Sequence, residues 1–297
     1  MCATFQHGAF IEHALCGFLG QRTNFRFEIL IRDDASTDCT PRVIRNYADR
    51  YPGIIIPVFE TVNQYPSIKA HTVLRPMARG RYIAPCEGDD YWTDPLKLQK
   101  QVDYLDSQPR CVMCYHDFIN IPSPTLTEPV QKHREPVGKM LTGPRLCTRM
   151  YRNLSSEWPS GLSRAPNGDQ ASLFFLEGYG RIERLDNVGP SVRRVHPGGI
   201  WSMVDEHRRA KMLVETWRVV AEVYAGSNRY HEAKQRHRRA EFSLAILRWR
   251  AARSLRERSF AALGVARCLM QPFALFAFLM RRLRRVVRHQ IKSRASF

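Results

Sequence analysis

Short apolar runs alternate with amphipathic stretches along the first 120 residues of the chain. This alternation is typical of βαβ units, in which parallel strands are joined by helices. Apolar residues that recur every three or four positions predict helices, and continuous apolar runs predict buried strands. We predict strands at 27–31, 54–59 and 81–86, only the end of a strand at 1–5, and helices at 9–19, 41–51, 67–78 and 95–107.

Polar turns rich in carboxylates follow two of these predicted strands. One turn spans 32–38, and the other is the run Glu-Gly-Asp-Asp-Tyr-Trp at 87–92, which follows the strand at 81–86. In open parallel sheets, ligands bind at the carboxyl ends of the strands, where both turns are expected to lie. The pattern therefore predicts a binding site at this edge of the sheet.

The carboxylates of Glu87, Asp89 and Asp90 are close together in sequence. Like charges at this spacing suppress one another's ionisation unless a cation or the donors of a ligand compensate them. Mg²⁺ and Mn²⁺ take hard oxygen ligands, usually one or two carboxylates together with substrate phosphates. The alternative is a solvated acidic turn that begins the next helix, with Asp94 as N-cap and Pro95 as its first residue. The spacing alone does not decide between these two hypotheses.

The middle of the chain is less periodic. Residues 119–166 are rich in Pro, Ser and Thr and predict a long loop, and loops of this length usually carry function or move. We predict a strand near 146–151 within it, a polar run at 167–170, a helix at 171–177 and strands at 181–185 and 191–195.

From residue 202 onward the apolar spacing becomes helical. It matches the anchor spacing of a single tetratricopeptide-like helix pair. One repeat cannot form a solenoid, so we expect a helical hairpin packed on the main domain, with peptide binding as the alternative. The anchor positions are Trp217, Val220, Ala221, Tyr224, Ala233, His237 and Ala240.

The chain is strongly basic, and the excess charge lies near its C-terminus. The formal net charge is +18, and residues 201–297 contribute +15 of it, with 22 Lys and Arg against 7 Asp and Glu. Such a balance indicates an anionic partner, which could be nucleic acid, a phosphorylated substrate or acidic lipid.

An uncharged run of 13 residues, 268–280, is followed by five arginines within 281–288. As a helix the run would be about 20 Å long, shorter than the roughly 30 Å of bilayer hydrocarbon. We therefore predict an interfacial helix that its arginines attract to anionic inner-leaflet lipid, with a buried core helix and a basic tail as the alternative. Nucleic acid is an unfavoured partner, since the sequence shows no base-reading module.

The eight cysteines are scattered along the chain. The sequence shows no signal-peptide pattern, and we therefore expect reduced thiols in a cytoplasmic protein. Cys111 and Cys114 form a lone Cys-x-x-Cys pair with no second pair or histidine set nearby, so we predict a buried strand at 111–115 and not a zinc site.

Taken in order, the polar clusters resemble glycosyltransferase family 2, the inverting transferases with the GT-A fold, across about residues 1–200. The resemblance implies an α/β fold with a Rossmann-like, mostly parallel sheet flanked by helices, followed here by a C-terminal all-α appendage. It depends on the clusters together: Thr4-Phe5-Gln6-His7, the turn 33–38, the run 87–92 with Asp94-Pro95 and Lys97-Leu98-Gln99, Asn167-Gly168-Asp169-Gln170, and Arg194-Val195-His196-Pro197-Gly198-Gly199.

The resemblance implies that these clusters bind a nucleoside-diphosphate sugar and a divalent cation, Mn²⁺ or Mg²⁺. Asp34 matches the family's nucleotide-binding aspartate and would accept hydrogen bonds from the base or ribose. Asp89 would bind the metal directly, and the metal would stabilise charge that develops on the leaving diphosphate. The residues implied to bind the donor are Thr4, Phe5, Asp33, Asp34, Ser36, Asp38, Glu87 and Asp90.

Two further residues match functional positions of the family. Asp169 falls on the catalytic base, which takes the proton of the acceptor hydroxyl as that oxygen attacks the anomeric carbon and inverts it. His196 falls where some relatives place a residue near the metal or the diphosphate. The alternative for His196 is an ordinary histidine at the end of a strand, with its hydrogen bonds satisfied.

The sequence departs from the family pattern at its start and in two turns. The first strand lacks the apolar residues expected before Cys2, so either the start is misassigned or this central strand is short. Gln6 replaces a frequent asparagine, Gly8 stands where a charged side chain is common, and Cys39 stands where a glycine is common. None of these removes a catalytic carboxylate, and the short strand bears on stability more than on chemistry.

We therefore predict a GT-A domain at 1–200, a helical hairpin at 201–258 and a basic amphipathic helix at 259–297. The predicted activity is metal-dependent, inverting transfer from a nucleoside-diphosphate sugar to a glycan or lipid-linked acceptor at the cytoplasmic membrane face. The alternatives are a nucleotidyltransferase with a similar sheet, a non-catalytic membrane-associated relative, and a nucleic-acid-binding protein.

Overall fold

A computed structural model describes residues 1–122, 139–197, 199 and 204–252 of the chain. These residues form two compact units. The first unit comprises 1–164 and 168–204, and the second comprises 165–167 together with the chain from Asp205. The helices and strands are β1 (Cys2–Thr4), α1 (Ile11–Leu19), β2 (Ile29–Asp33), α2 (Thr40–Arg50), β3 (Ile55–Phe59), α3 (Ala70–Met77), β4 (Tyr82–Ile83), β5 (Cys86–Glu87), α4 (Lys97–Ser107), β6 (Cys111–Tyr115), β7 (Phe118–Pro122), β8 (Lys139–Leu141), β9 (Met150–Arg152), α5 (Gly168–Glu177), β10 (Arg181–Arg184), β11 (Ser191–Val195), α6 (Glu206–Val223) and α7 (Tyr230–Ala251).

A parallel sheet with the strand order β3-β2-β1-β5 organises the first unit. Cys2 in β1 pairs with Ile31 on one side and with Cys86 on the other, so the short first strand is central. All five residues of β2 are buried, as expected for a parallel strand covered on both faces. Chain order reverses at β1, which places β1 beside β5 at the topological switch point, where ligands bind in such sheets.

Two mixed sheets, of four and three strands, complete the first unit. One has the order β10-β6-β9-β4, and the other has the order β11-β7-β8. A single antiparallel bridge between Tyr91 and Val192 connects β11 to the acidic turn after β5. Consequently, the end of β11 lies beside the carboxylates that follow β5.

The prediction of a single strand at 81–86 is wrong. The structure divides it into β4, which pairs with β9, and β5, which pairs with β1 in a different sheet. Pro85 stands between the two pieces and has no N–H to donate to a sheet ladder, so the chain changes partners there. Apolar periodicity carries no signal for such a change of sheet.

The long loop predicted at 119–166 contains more regular structure than expected. Strand β7 includes the first four of these residues, and β8, β9 and three short 3₁₀ helices follow. The residues at 123–138 lie outside the described part of the chain.

The core of the first unit packs α1 and α4 against the strands of the parallel sheet. Lys97, at the start of α4, is 1 % exposed, and its Nζ lies 4.2 Å from the centre of the Trp92 ring. The Lys97 ammonium donates to Gln101 Oε1 at 2.6 Å, and burial lowers the pKa of Lys97 to about 8. Trp92 in turn donates to the carbonyl of Cys147, so the chain that follows the acidic turn is anchored in the core.

The described part of the second unit is a helical hairpin of α6 and α7. The Asp205 carboxylate accepts a hydrogen bond from the Arg208 N–H and caps α6. Five of the predicted anchors are buried, namely Trp217, Val220, Ala221, Ala233 and Ala240. Among the described residues, no helix is both long enough and apolar enough to cross a membrane. The predicted basic helix at 259–297 lies outside the described residues.

Candidate active site

The turns that follow β1 and β5 are in close contact. A Cβ atom on Gly88 would lie 2.8 Å from Thr4 Cβ and 3.0 Å from His7 Nδ1, closer than van der Waals contact allows. Glycine is therefore required at position 88 for the acidic turn to approach the end of β1. This approach brings the His7 ring next to the carboxylates.

Asp89 is the point at which these turns and β11 meet. Its Oδ2 lies 3.0 Å from His196 Nε2 and 4.0 Å from His7 Nε2. Glu87 is exposed, whereas Asp90 is 3 % exposed and accepts a hydrogen bond from the Arg194 N–H at 3.0 Å. One carboxylate of the acidic turn therefore faces solvent, one faces two histidines, and one is buried against β11.

Among the residues that the structure describes, two groups of side chains could hold a metal ion. His7, Asp89 and His196 form one, and Glu87, Asp89 and Asp90 form the other, with the ligand atoms of each group within 4.8 Å of one another. Asp89 Oδ1, His7 Nδ1 and His196 Nδ1 are buried and have no hydrogen-bond partner among the described residues. Because buried polar atoms are normally paired, the unpartnered Asp89 Oδ1 fits a site that completes its bonds with an ion.

The electrostatics of the cluster differ from one carboxylate to the next. Burial alone would raise the pKa of Asp89, but His7 and the hydrogen bond with His196 lower it overall. Desolvation, followed by repulsion from Asp89, raises the pKa of Glu87 and of Asp90 well above the ordinary values. Because the Glu87 side chain is exposed, repulsion from Asp89 is the cause that applies most directly to its raised pKa. Asp89 is therefore the carboxylate most readily available as an anion.

The pKa of His7 is also shifted in the direction that favours metal binding. Desolvation lowers the pKa of His7, although the neighbouring Asp89 acts in the opposite direction. A lowered pKa keeps the imidazole neutral near pH 7, and only the neutral ring can bind a metal.

Arg194 holds the acidic turn in place. Its Nη1 donates to the carbonyl of Asp89 at 2.6 Å, and its Nη2 lies 2.6 Å from His13 Nδ1. The guanidinium lies over the rings of Tyr91, at 4.6 Å, and Phe10, at 5.0 Å. Such contacts fix both the backbone and the direction of the turn, so Arg194 positions Asp89 through its main chain.

The predicted donor residues after β2 form a tightly bonded turn. The Ser36 hydroxyl donates to Asp33 Oδ1 at 2.5 Å, and the Gln6 N–H donates to Ser36 Oγ at 2.8 Å. Gln6 and Ala35 have φ values of 56° and 63°. The left-handed conformation costs an L-residue about 1–2 kcal/mol, and residues held in it often lie at functional sites. Burial raises the pKa of Asp33.

Asp34 is bonded on both carboxylate oxygens. Oδ1 accepts from Arg32 Nη2 at 3.0 Å and from the Gln64 N–H at 3.1 Å, and Oδ2 accepts from the Tyr65 N–H at 3.0 Å. Each oxygen can accept two hydrogen bonds, so Oδ2 keeps one position for a ligand. Arg32 is 2 % exposed and also donates to Glu60 Oε1 at 2.8 Å. This second hydrogen bond fixes the Arg32 guanidinium and, through it, the Asp34 carboxylate.

The remaining predicted donor residues are placed in different ways. Thr4 is buried with its hydroxyl unpartnered among the described residues, and Phe5 is 41 % exposed. Asp38 accepts from the Thr40 N–H at 2.9 Å, at the start of α2, and from the Gly8 N–H at 2.8 Å. In this structure Asp38 therefore has a structural role at the rim of the site.

Two departures from the family pattern compensate one another. A Cβ atom on Gly8 would lie 2.5 Å from the sulfur of Cys39. The cysteine side chain thus occupies the space that a larger residue at position 8 would need. Both substitutions can be seen in the sequence, but their contact can be seen only in the structure.

Asp169 lies in the first turn of α5, which begins three residues earlier than predicted. Its Oδ1 is 4.0 Å from Arg149 Nη1, and a third of its side chain is exposed. Asp169 also acts electrostatically on Glu87, Tyr151 and Lys69. The predicted base is therefore close enough to Glu87 for its charge to act on that carboxylate.

Sequence reasoning did not assign a role to His7 or to Arg194. The only sign of His7 in the sequence is its place in the polar run after β1. Its ring reaches Asp89 because Gly88 lets the two turns approach each other. Arg194 precedes His196 by two residues on β11, and its contact with Asp89 depends on the Tyr91 bridge.

A family model described as glycosyl transferase family 2 matches residues 2–153, just over half of the chain. The chain belongs to glycosyl transferase family 2. This confirms the resemblance found in the polar clusters, and the matched range includes β1, β2, β5 and the turns that follow them.

Several known proteins are similar to parts of this family 2 chain. An uncharacterized protein of Mycobacterium tuberculosis strain H37Rv is 50 % identical over 113 residues, which are 38 % of this chain and 32 % of that protein. The putative glycosyltransferase EpsE of Bacillus subtilis is 36 % identical over 80 residues, which are 27 % of this chain and 28 % of EpsE. The chain thus spans about a third of the length of the curated relatives it matches.

Solved structures of S. aureus TarS have the same fold as this chain. Residues 1–349 of TarS in complex with UDP-GlcNAc superpose with a TM-score of 0.59 at 15 % identity, covering 90 % of this chain and 79 % of that one. The complex of TarS with UDP gives a TM-score of 0.56 at 17 % identity, with 87 % and 75 % covered. The prediction of a GT-A fold is confirmed.

Proposed function

We propose that this chain is a metal-dependent, inverting glycosyltransferase that moves a sugar from a nucleoside-diphosphate sugar to a glycan or lipid-linked acceptor. The observation that carries the proposal is the convergence of His7, Asp89 and His196, with their unpartnered buried atoms, on the acidic turn at the switch point of the sheet. Membership of family 2 supports glycosyl transfer, and TarS, which shares the fold, has been solved with UDP and with UDP-GlcNAc.

Asp89 is common to both candidate metal groups. The group with Glu87 and Asp90 supplies only oxygens, which suit Mg²⁺ or Mn²⁺, whereas the group with His7 and His196 supplies two imidazoles and is less suited to Mg²⁺. A bound metal would supply Lewis-acid stabilisation of the leaving nucleoside diphosphate.

The turn after β2 would bind the nucleoside. Asp34 keeps one accepting position for a base N–H or a ribose hydroxyl, and the half-exposed ring of Phe5 offers an apolar surface beside it. Thr4 has a buried hydroxyl available for the same ligand. Arg193 acts electrostatically on Glu87 and Asp90, so its charge is available near the diphosphate.

Asp169 would take the proton of the acceptor hydroxyl. It lies at the start of α5, its carboxylate is partly exposed, and its charge acts on Glu87 in the acidic turn. An attack from this side, opposite to the leaving diphosphate, inverts the anomeric carbon.

The test of the base is Asp169→Asn. The amide cannot accept the proton, so sugar transfer should fall about a hundredfold or more while binding of the donor is retained. The measurement is release of nucleoside diphosphate from UDP- and GDP-sugars, together with binding of UDP and GDP in the presence of Mn²⁺. Asp103→Asn, on the surface of α4, is the control and should behave as wild type.

Transfer by Asp169→Asn within a few fold of wild type, at saturating donor and Mn²⁺, would show that another group takes the proton. A product with retained anomeric configuration would contradict the inverting mechanism.

We also propose that the basic C-terminal sequence binds the cytoplasmic membrane face. The support comes from the sequence, in which the uncharged run 268–280 precedes five arginines. Deleting residues 268–297 should abolish cosedimentation with vesicles that contain anionic lipid, while binding of UDP or GDP stays unchanged. Equal vesicle binding by the deleted and full chains would contradict this proposal, and stronger binding to DNA at matched salt would favour nucleic acid.

A further inference from the structure

The two candidate metal groups share Asp89 but offer different further ligands. In the histidine group, Nε2 of His196 lies 3.0 Å and Nε2 of His7 lies 4.0 Å from the same oxygen, Asp89 Oδ2. The three ligand atoms of this group all lie within 4.8 Å of one another. Metal–ligand bonds of about 2.0–2.2 Å place two ligands of one ion roughly 3.0–4.4 Å apart. The three side chains are therefore nearly in position to bind one ion.

The carboxylate group, which adds Glu87 and Asp90 to Asp89, is less ready to bind an ion. Asp90 is 3 % exposed, its Oδ1 accepts from the Arg194 N–H at 3.0 Å, and its carboxylate is also hydrogen-bonded to the Cys147 thiol. Glu87 is exposed, so little packing fixes its carboxylate. One of the two additional carboxylates is thus already engaged, and the other is not held in place.

Both histidines, in contrast, are held by their surroundings. The His7 carbonyl accepts from the N–H groups of Phe10 and Ile11 at 2.8 Å each, at the start of α1. The centre of the Phe10 ring lies 4.9 Å from that of His196 and 6.4 Å from that of His7. The side chains of His196 and His7 are 1 % and 15 % exposed. Because these side chains are ordered before an ion arrives, less conformational entropy is lost when it binds.

The kind of ligand decides which ion the site prefers. Mg²⁺ takes oxygen ligands, whereas imidazole nitrogens suit transition metals, and the affinity of such sites rises from Mn²⁺ to Co²⁺. Each imidazole that replaces an oxygen therefore favours Mn²⁺ and Co²⁺ over Mg²⁺. A site made only of carboxylates would discriminate much less between these ions.

We propose that His7 binds the metal together with Asp89 and His196, and that it makes the site selective for transition-metal ions such as Mn²⁺ and Co²⁺ over Mg²⁺. Three protein ligands leave coordination positions for water and for the oxygens of a diphosphate. The inference rests on the proposed function for what the metal does, whereas the set of ligands can be tested without any substrate.

The probes are the metal ions alone, titrated calorimetrically as Mg²⁺, Mn²⁺ and Co²⁺ into the full chain. Wild type should bind them with affinities that increase in this order. His7→Gln replaces the imidazole by an amide, so its affinity for Mn²⁺ and Co²⁺ should fall by about 10- to 100-fold, a loss that changes to outer-shell partners alone can cause. Its affinity for Mg²⁺ should stay almost unchanged.

Pulsed electron paramagnetic resonance of the bound Mn²⁺ counts the imidazoles directly, through the coupling of the electron spin to coordinated nitrogen. Wild type should show two imidazoles and His7→Gln one. The matched control is His231→Gln, an exposed position on α7, which should behave as wild type in both measurements. Melting temperatures identify a variant that fails to fold, and the wild-type spectrum decides the ligand set even if His7→Gln is unstable.

A wild-type spectrum with nitrogen coupling from fewer than two imidazoles, or equal Mn²⁺ affinity in wild type and folded His7→Gln, would overturn the proposal. Failure of the proposed function would look different. Two-imidazole Mn²⁺ binding by a wild-type chain that transfers no sugar from UDP- or GDP-sugars would support the ligand set and contradict glycosyl transfer. Wild type that binds no Mn²⁺, with or without UDP or GDP, would contradict both.

Discussion

At the scale of single residues, Asp89 organises the candidate site. Two histidines approach one of its oxygens, its other oxygen is buried without a partner among the described residues, and Arg194 holds its carbonyl. Asp90 is paired with a backbone N–H, and Glu87 faces solvent. Three carboxylates that look alike in sequence thus have three different environments.

Gly88 is the residue whose substitution tests this arrangement. Gly88→Ala would place a methyl group 2.8 Å from Thr4 Oγ1 and 3.0 Å from His7 Nδ1. We expect an overpacking cost of about 1–3 kcal/mol in the free energy of unfolding, and at least a tenfold loss of Mn²⁺ affinity because the acidic turn moves away from His7. Urea unfolding and Mn²⁺ titration measure the two effects.

Gly180→Ala is the control for the loss of stability alone. A Cβ there would lie 2.6 Å from the carbonyl of Arg110, in a different sheet from the candidate site. It should destabilise the fold and leave Mn²⁺ affinity unchanged. Equally tight Mn²⁺ binding by Gly88→Ala and wild type would contradict the role of Gly88 in bringing the acidic turn to His7.

The sequence indicated the carboxylates and His196, but not the other partners of these carboxylates. Asp89 and His196 could be proposed because each stands in a recognisable run, and the structure places them 3.0 Å apart. His7 and Arg149 could not, because their relevance depends on close approaches between elements distant in sequence. The role of Asp34 stays a prediction, and the structure adds that most of its accepting capacity is used by Arg32 and two backbone N–H groups.

At the scale of elements, the strands of the parallel sheet and the helices that connect them were predictable, and the two mixed sheets were less so. Strand β11 at Ser191–Val195 matches its predicted range, and β2 is shifted by two residues. The segment 81–86 failed as one strand because its two halves pair in different sheets. Pairing partners are set by tertiary contacts, which an apolar run does not encode.

The element boundary at α5 matters for chemistry. The helix begins at Gly168, so Asp169 lies in its first turn, where the N-terminal end of the helix dipole favours a negative charge. The prediction of a helix from 171 placed Asp169 in the preceding turn. Polar residues at a helix start weaken the apolar periodicity that was used to predict the boundary.

At the scale of the whole molecule, a basic C-terminal part accompanies an almost neutral catalytic part. Of the net charge of +18, +15 belongs to residues 201–297. The first unit contains a site of concentrated negative charge, whereas the sequence that carries the excess positive charge, residues 201–297, supplies none of the residues named for the candidate site. Membrane contact and catalysis can therefore be tested by separate changes.

Buried histidines predict how the stability of the fold depends on pH. His116 is fully buried in the core, and burial lowers its pKa to about 3. The unfolded chain, with an ordinary histidine pKa of about 6.5, binds the proton first, so stability is lost as pH falls below about 6.5. Each such histidine contributes up to about 1.4 kcal/mol per pH unit.

The measurement is urea unfolding at pH 6.5 and pH 5 for wild type, His116→Gln and the exposed control His231→Gln. Wild type and His231→Gln should lose stability on acidification, and His116→Gln should lose about 1 kcal/mol or more less over this interval. An equal loss in all three proteins would contradict the burial of a neutral His116.

The central claim is that Asp89 binds the metal that binds the donor diphosphate. The most direct measurement is Mn²⁺ binding followed by electron paramagnetic resonance, with and without UDP or GDP, in wild type and Asp89→Asn. We expect wild type to bind one Mn²⁺ per chain, more tightly when the nucleotide is present. We expect Asp89→Asn to lose at least tenfold in Mn²⁺ affinity. Equal Mn²⁺ binding by the two proteins, or no effect of nucleotide on Mn²⁺ affinity in wild type, would contradict this claim.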